Sequence, residues 1–179
     1  MVKVGEKTSQ ENSNENKYIE EYLGGVLSCV FQLSKKDIAN CIKLLTYLKK
    51  NNGRLFLLGV GGSAANCSHA VNDFRKIANV EAYTPVDNVS ELTARINDDG
   101  WETIFANWLK TSKLNSKDAV MVLSVGGGDI EKNISTNIVE ALKYTKEVKA
   151  SIIAIVSRDG GYTKRVADAC IMVPVIKDE

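Results

Sequence analysis

Apolar residues recur along this chain in two rhythms, and the change from one to the other near residue 54 divides it. Before that point the spacing is helical. Tyr18, Ile19, Tyr22, Leu23, Val26, Leu27, Val30 and Phe31 fall on one face of a helix, although Gly24-Gly25 lowers the helix propensity of the stretch. Ser34, followed three residues later by Asp37, has the form of a capping box. Ile38, Cys41, Ile42, Leu45 and Leu48 then make a single apolar stripe that Gly53 ends. Two helices are therefore expected within 17–52. Their apolar faces need cover, either from a partner subunit or from the chain's own sheet. Residues 1–16, rich in Glu, Asn, Ser and Lys, are expected to form a disordered tail.

From Arg54 onward, short apolar runs alternate with amphipathic stretches. Strands are expected at 54–60, 82–86, 119–124, 151–157 and 170–175. The first, third and fourth are nearly continuous apolar runs, as strands buried on both faces are. Helices are expected at 64–78, 89–97, 101–112, 132–148 and 162–168. This alternation predicts an α/β fold with a doubly wound, five-stranded parallel sheet of order 2-1-3-4-5 and right-handed crossovers. A chain of 179 residues is long enough for one such domain, expected over 17–179.

Two glycine-rich turns sit where chemistry is expected. Gly59-Val60-Gly61-Gly62-Ser63 follows the first strand, and Ser124-Val125-Gly126-Gly127-Gly128-Asp129 follows the third. Glycine lets backbone N–H groups approach a ligand, and a helix N-terminus adds partial positive charge, so each turn suits an anion such as phosphate. In the order 2-1-3-4-5, strands one and three flank the switch point, so both turns face one crevice. The second is expected to run into a helix by about Asn133. Ser63 and Ser124 offer hydroxyls to phosphate oxygens, or else cap their own turns. Asp129 would compete with an anion for N–H groups, and could instead accept hydrogen bonds from sugar hydroxyls. Gly59, Gly61 and Ala64 also satisfy G-x-G-x-x-A, with Asp87 as a ribose acceptor, so dinucleotide binding stays open.

His69 and Asp73 lie four residues apart on the helix after the first turn and share a face. They are either a surface pair, or a metal-ligating and proton-moving pair beside the anion site. Asn97-Asp98-Asp99-Gly100 ends a helix, and Trp101, Phe105 and Trp108 at helical spacing are expected in the core or at a subunit contact. Asp159-Gly160-Gly161 is expected to form a turn. Composition narrows the classes. With 23 Lys+Arg against 22 Asp+Glu, no basic excess marks a nucleic-acid surface. No apolar run reaches the ~20 residues of a membrane span, and the first 16 residues have no signal-peptide core. Cys29, Cys41, Cys67 and Cys170 are scattered, as reduced thiols of a cytoplasmic protein are.

The order and spacing of 59–63, His69 with Asp73, 97–105, Ser124 with its loop and 159–161 resemble the sugar isomerase (SIS) domain family, and within it the phosphoheptose isomerases. The resemblance spans about 18–176. It implies interconversion of sedoheptulose 7-phosphate and glycero-manno-heptose 7-phosphate, for the heptose of a surface polysaccharide. It places Val60, Gly61, Gly62, Ser63, Asn97, Asp98, Ser124, Val125, Gly126 and Asp129 at the phosphorylated sugar. It makes His69 and Asp73 zinc ligands, with Asp73 the catalytic acid/base, and it implies a homotetramer built on the N-terminal helices. Three departures stand out. The second loop lacks most of the family's hydroxyls, so phosphate would depend on backbone N–H groups. Asp73 replaces the usual Glu. The sequence ends at Glu179, where the resemblance implies a further helix with the remaining metal ligands and a histidine. SIS domains also serve as non-catalytic modules that sense sugar phosphates or bind a protein such as the replication initiator, and that is the alternative expectation.

Overall fold

The computed structural model describes residues 9–176. They fold into two compact units, one of Ser34–Val173 and one of the segments on either side of it.

The larger unit holds α2 (Lys35–Lys50), β1 (Leu55–Leu58), α3 (Gly62–Lys76), β2 (Ala82–Tyr83), a 3-10 turn (Pro85–Asp87) and α4 (Val89–Asp99). There follow α5 (Ile104–Thr111), β3 (Ala119–Ser124), α6 (Thr136–Glu147), β4 (Ser151–Ser157), α7 (Gly161–Val166) and β5 (Ala169–Val173). The five strands form one parallel sheet of order β2-β1-β3-β4-β5, as expected. Side chains alternate across it, because successive strand residues point to opposite faces. Phe56, Leu58, Val120, Val122 and Ile152 enter one core with α5 and α6. Leu55, Leu57, Ala119, Met121 and Ile153 enter the other with α2 and α3. Burial on both faces explains the unbroken apolar runs.

The β2 ladder stops at Tyr83 rather than 86. Pro85 has no N–H to donate and opens the 3-10 turn. Pro174 likewise follows the end of β5. Below the sheet, Arg54 and Asp118 precede β1 and β3. Asp118 is 3% exposed and accepts from Arg54 N, Nε and Nη2 and from Asn115 N and Nδ2. Arg54 also donates to the carbonyls of Ser112 and Lys113 behind α5.

Of the two leading helices, α2 covers the chain's own sheet, packing on β5 and β4. It is capped by Ser34, whose hydroxyl accepts from Asp37 N at 3.2 Å. The smaller unit contains α1 (Ser9–Gln32), which continues unbroken through Gly24-Gly25. This helix begins well ahead of the expected start, so 9–16, expected in the tail, are helical. Once a helix is nucleated, each added residue gains a hydrogen bond, which suffices even for polar positions. The rest of that expected tail, 1–8, lies outside the described residues. Tyr18, Ile19, Tyr22, Leu23, Val26, Leu27, Val30 and Phe31 on α1 are all exposed.

Candidate functional site

β1 ends at Leu58 and the chain reverses into α3 within three residues. A Cβ on Gly59 would lie 2.6 Å from the backbone of Ser63, so only glycine lets the strand end pack on the helix start. Gly61 has φ of +61° and stands at the N-cap of α3. Its carbonyl accepts from Ala64 N and Ala65 N. The N–H groups of Gly62 and Ser63 make no hydrogen bond among the described residues, and open space surrounds Gly61 and Gly62. No carboxylate sits in the first turn of this 15-residue helix. Free amides and the helix dipole together favour an anion there.

The second loop follows β3, whose residues pair with those of β1 from Leu55↔Ala119 to Leu58↔Val122. Both loops therefore leave the same edge of the sheet on neighbouring strands. Ser124 Oγ accepts from Gly127 N at 3.1 Å. The loop does not enter a helix by Asn133. Asp129 and Ile134 exchange two backbone hydrogen bonds of 2.9 and 3.0 Å, and α6 begins only at Thr136. The cause is Asp129 itself. Its Oδ1 accepts from Glu131 N at 2.9 Å and Lys132 N at 3.0 Å, a local bond that competes with helix formation. The Lys132 amide first, then the Glu131 amide and the charges of Lys132 and Arg165, hold this carboxyl below its ordinary range. One oxygen of Asp129, expected at sugar hydroxyls, is thus engaged in a hairpin. The sequence reading missed that hairpin, although Asp followed by a polar run was its signal.

His69 and Asp73 share the outer face of α3, with Nε2 3.5 Å from Oδ2, and their side chains are 79% and 47% exposed. Asn72 Nδ2 donates to Asp73 Oδ1 at 3.1 Å. A tetrahedral zinc ion sets adjacent ligand atoms roughly 3.4 Å apart, so the pair suits two corners of such a site. Among the described residues no third His, Cys, Asp or Glu joins them, and the set present does not make a complete zinc site. The neighbouring thiol of Cys67 is fully buried. Burial first, and the nearby Asp87 charge second, push it up to about 12, so it is neither ligand nor nucleophile.

Asn97 and Asp98, in the last turn of α4, bond to each other at 2.8 Å and make no hydrogen bond to either loop among the described residues. Asp87, the candidate ribose acceptor, takes the Ser68 hydroxyl of α3. Phe105 and Trp108 are in the core, while Trp101 is 42% exposed. Asn137 in the first turn of α6 is fully buried, and its Nδ2 has no protein partner. A cavity of about 350 Å³ opens at the β2 edge between Val71, Arg75, Tyr83, Thr84 and Trp108, apart from both loops.

Residues 17–157 match a family model described as a SIS domain. A phosphoheptose isomerase of Akkermansia muciniphila is 33% identical over 145 residues, covering 77% of this chain and 72% of that protein. The phosphoheptose isomerase of Cytophaga hutchinsonii is 27% identical over 160 residues, covering 86% and 80%. The structure of a phosphoheptose isomerase from Francisella tularensis superposes with a TM-score of 0.78 at 22% identity, over 96% of this chain and 88% of that one.

Proposed function

The chain belongs to the SIS-domain family, among the phosphoheptose isomerases, and on that premise we propose that it isomerises a seven-carbon sugar phosphate between ketose and aldose. The substrate pair is sedoheptulose 7-phosphate and glycero-manno-heptose 7-phosphate, feeding the heptose of a surface polysaccharide. One observation carries the reading: open amides of the β1 and β3 loops leave neighbouring parallel strands at one edge of the sheet. Phosphate there needs no side-chain cation, because the N-terminus of α3 supplies partial positive charge. Val60, Gly61, Gly62 and Ser63 would cradle it from one side, and Ser124, Val125 and Gly126 from the other. Asn97 and Asp98 are assigned to the sugar hydroxyls.

Asp73 is the proton carrier. Its carboxylate takes the C1 proton of the ketose, the C–H electron pair forms the C1=C2 bond of an enediol, and the C2=O π pair moves onto O2, which takes a proton from solvent. The carried proton returns to C2 as O1 gives its proton to solvent and the O1–H pair forms the C1=O bond of the aldose. His69 and Asp73 would be two ligands of a zinc ion whose remaining ligands come from outside the described residues, and no step here is routed through it. The exposed face of α1 is assigned to contacts between copies in a homotetramer.

Ketose-phosphate turnover, followed by the appearance of aldose, tests this. Asp73→Ala should lower it by at least about 100-fold while sugar-phosphate binding persists. A wild-type protein that neither turns over nor is thermally stabilised by any ketose phosphate overturns the proposal. A second reading, a non-catalytic SIS module that senses a sugar phosphate or binds a protein partner, draws support from the two-donor set at His69 and Asp73. It expects binding without turnover at any zinc concentration.

A further inference from the structure

The end of β4 and the start of α7 take no part in the site as described so far, yet they make four hydrogen bonds to the second glycine loop. Ser157 N donates to Val125 O at 3.0 Å, Thr163 N to Gly127 O at 2.9 Å and Tyr162 N to Gly128 O at 2.7 Å. The Thr163 hydroxyl donates to Gly127 O at 2.7 Å. Thr163 is fully buried. The contact tolerates no side chains. A Cβ on Gly127 would lie 2.0 Å from Gly160 O, and one on Gly161 would lie 2.3 Å from the carbonyl oxygens of both Gly126 and Gly128. Gly127, Gly128, Gly160 and Gly161 all have positive φ.

These bonds determine where the loop's donors point. In a trans peptide the C=O of one residue and the N–H of the next are antiparallel, and the described chain has no cis bond. Drawing the carbonyls of Val125 and Gly127 toward the β4–α7 turn therefore turns Gly126 N–H and Gly128 N–H the opposite way. In the order β1-β3-β4, away from β4 is toward β1 and its own glycine loop. Those two N–H groups are also ones that bond nothing among the described residues. Ser124 supports the same arrangement from below by accepting from Gly127 N.

We propose that Thr163, with Gly160 and Gly161, is a positioning residue: by holding the carbonyl side of the second loop it presents Gly126 N–H and Gly128 N–H to the anionic group of the substrate. This rests on the sugar-phosphate reading and adds to it the device that orients the second loop. It also accounts for glycine at 127, where a Cβ would meet the Gly160 carbonyl of the second glycine turn.

The test compares binding of inorganic phosphate and of sedoheptulose 7-phosphate to the full chain by calorimetry. Thr163→Val keeps the shape and removes the hydroxyl. It should weaken both ligands by about tenfold, the scale of one hydrogen bond, and Thr163→Ser should restore them. Gly127→Ala, which pushes the loop off the turn, should weaken both as well and serves if the valine variant does not fold. A melting temperature that falls in Thr163→Val while both affinities stay at the wild-type value overturns the inference and leaves the isomerase proposal standing. A wild type that binds neither ligand overturns both.

Discussion

At the scale of single residues, the glycines divide by what surrounds them. Gly61 and Gly62 face open space, whereas Gly59 is pressed on the start of α3. Gly59→Ala should therefore destabilise the fold by about 2 kcal/mol, as overpacking does, seen as a lower denaturant midpoint at unchanged slope. Gly62→Ala, in helical backbone with nothing nearby, should leave the fold intact and raise that midpoint slightly. Both glycine loops were legible in the sequence, and so was the helical spacing of His69 and Asp73. What a glycine is for was not legible. A run of three looks the same whether it approaches a ligand or another backbone, and Gly127 lies against Gly160, a neighbour more than thirty positions away.

Among the elements, the strands and helices follow the pattern of apolar positions closely, because a strand buried on both faces must be apolar throughout and so stands out from its polar flanks. The misses lie at boundaries, where one side chain or one missing N–H decides. Pro85 shortens β2, and the Asp129 carboxylate delays α6 to Thr136. Ser135 precedes that helix with φ of 49°, a left-handed turn that no periodicity reveals. At the opposite end of the strands from the loops, Asp118 ties β3 to β1 through Arg54. Asp118→Ala strands a guanidinium and the backbone amides of Arg54 and Asn115, and should cost about 3 kcal/mol, read by chemical denaturation.

On the scale of the whole molecule, α1 presents eight large apolar residues to solvent, Phe31 at 84% and Tyr18 at 70% exposure. Contiguous apolar surface of this kind marks an interaction site. If it joins copies of this chain, the protein should run as a tetramer in light scattering, and Tyr22→Glu combined with Phe31→Glu should shift it to smaller species. Retention of the tetramer in that variant would take the assembly away from this helix. The sequence reading paired α1 with α2 as two like helices. Their burial differs, since α2 finds the second face of the sheet and α1 keeps its apolar stripe exposed, and spacing alone does not say which of two stripes the sheet will claim.

The small hairpin closed by Asp129 and Ile134 separates the second glycine loop from α6. Because the loop is anchored sideways to α7, its shape should not depend on how many residues follow Lys132 at the hairpin tip. Length is thus free to drift there: extra residues, a peptide tag or a fluorescent reporter could be spliced into its tip while the anion cradle beside it stays intact.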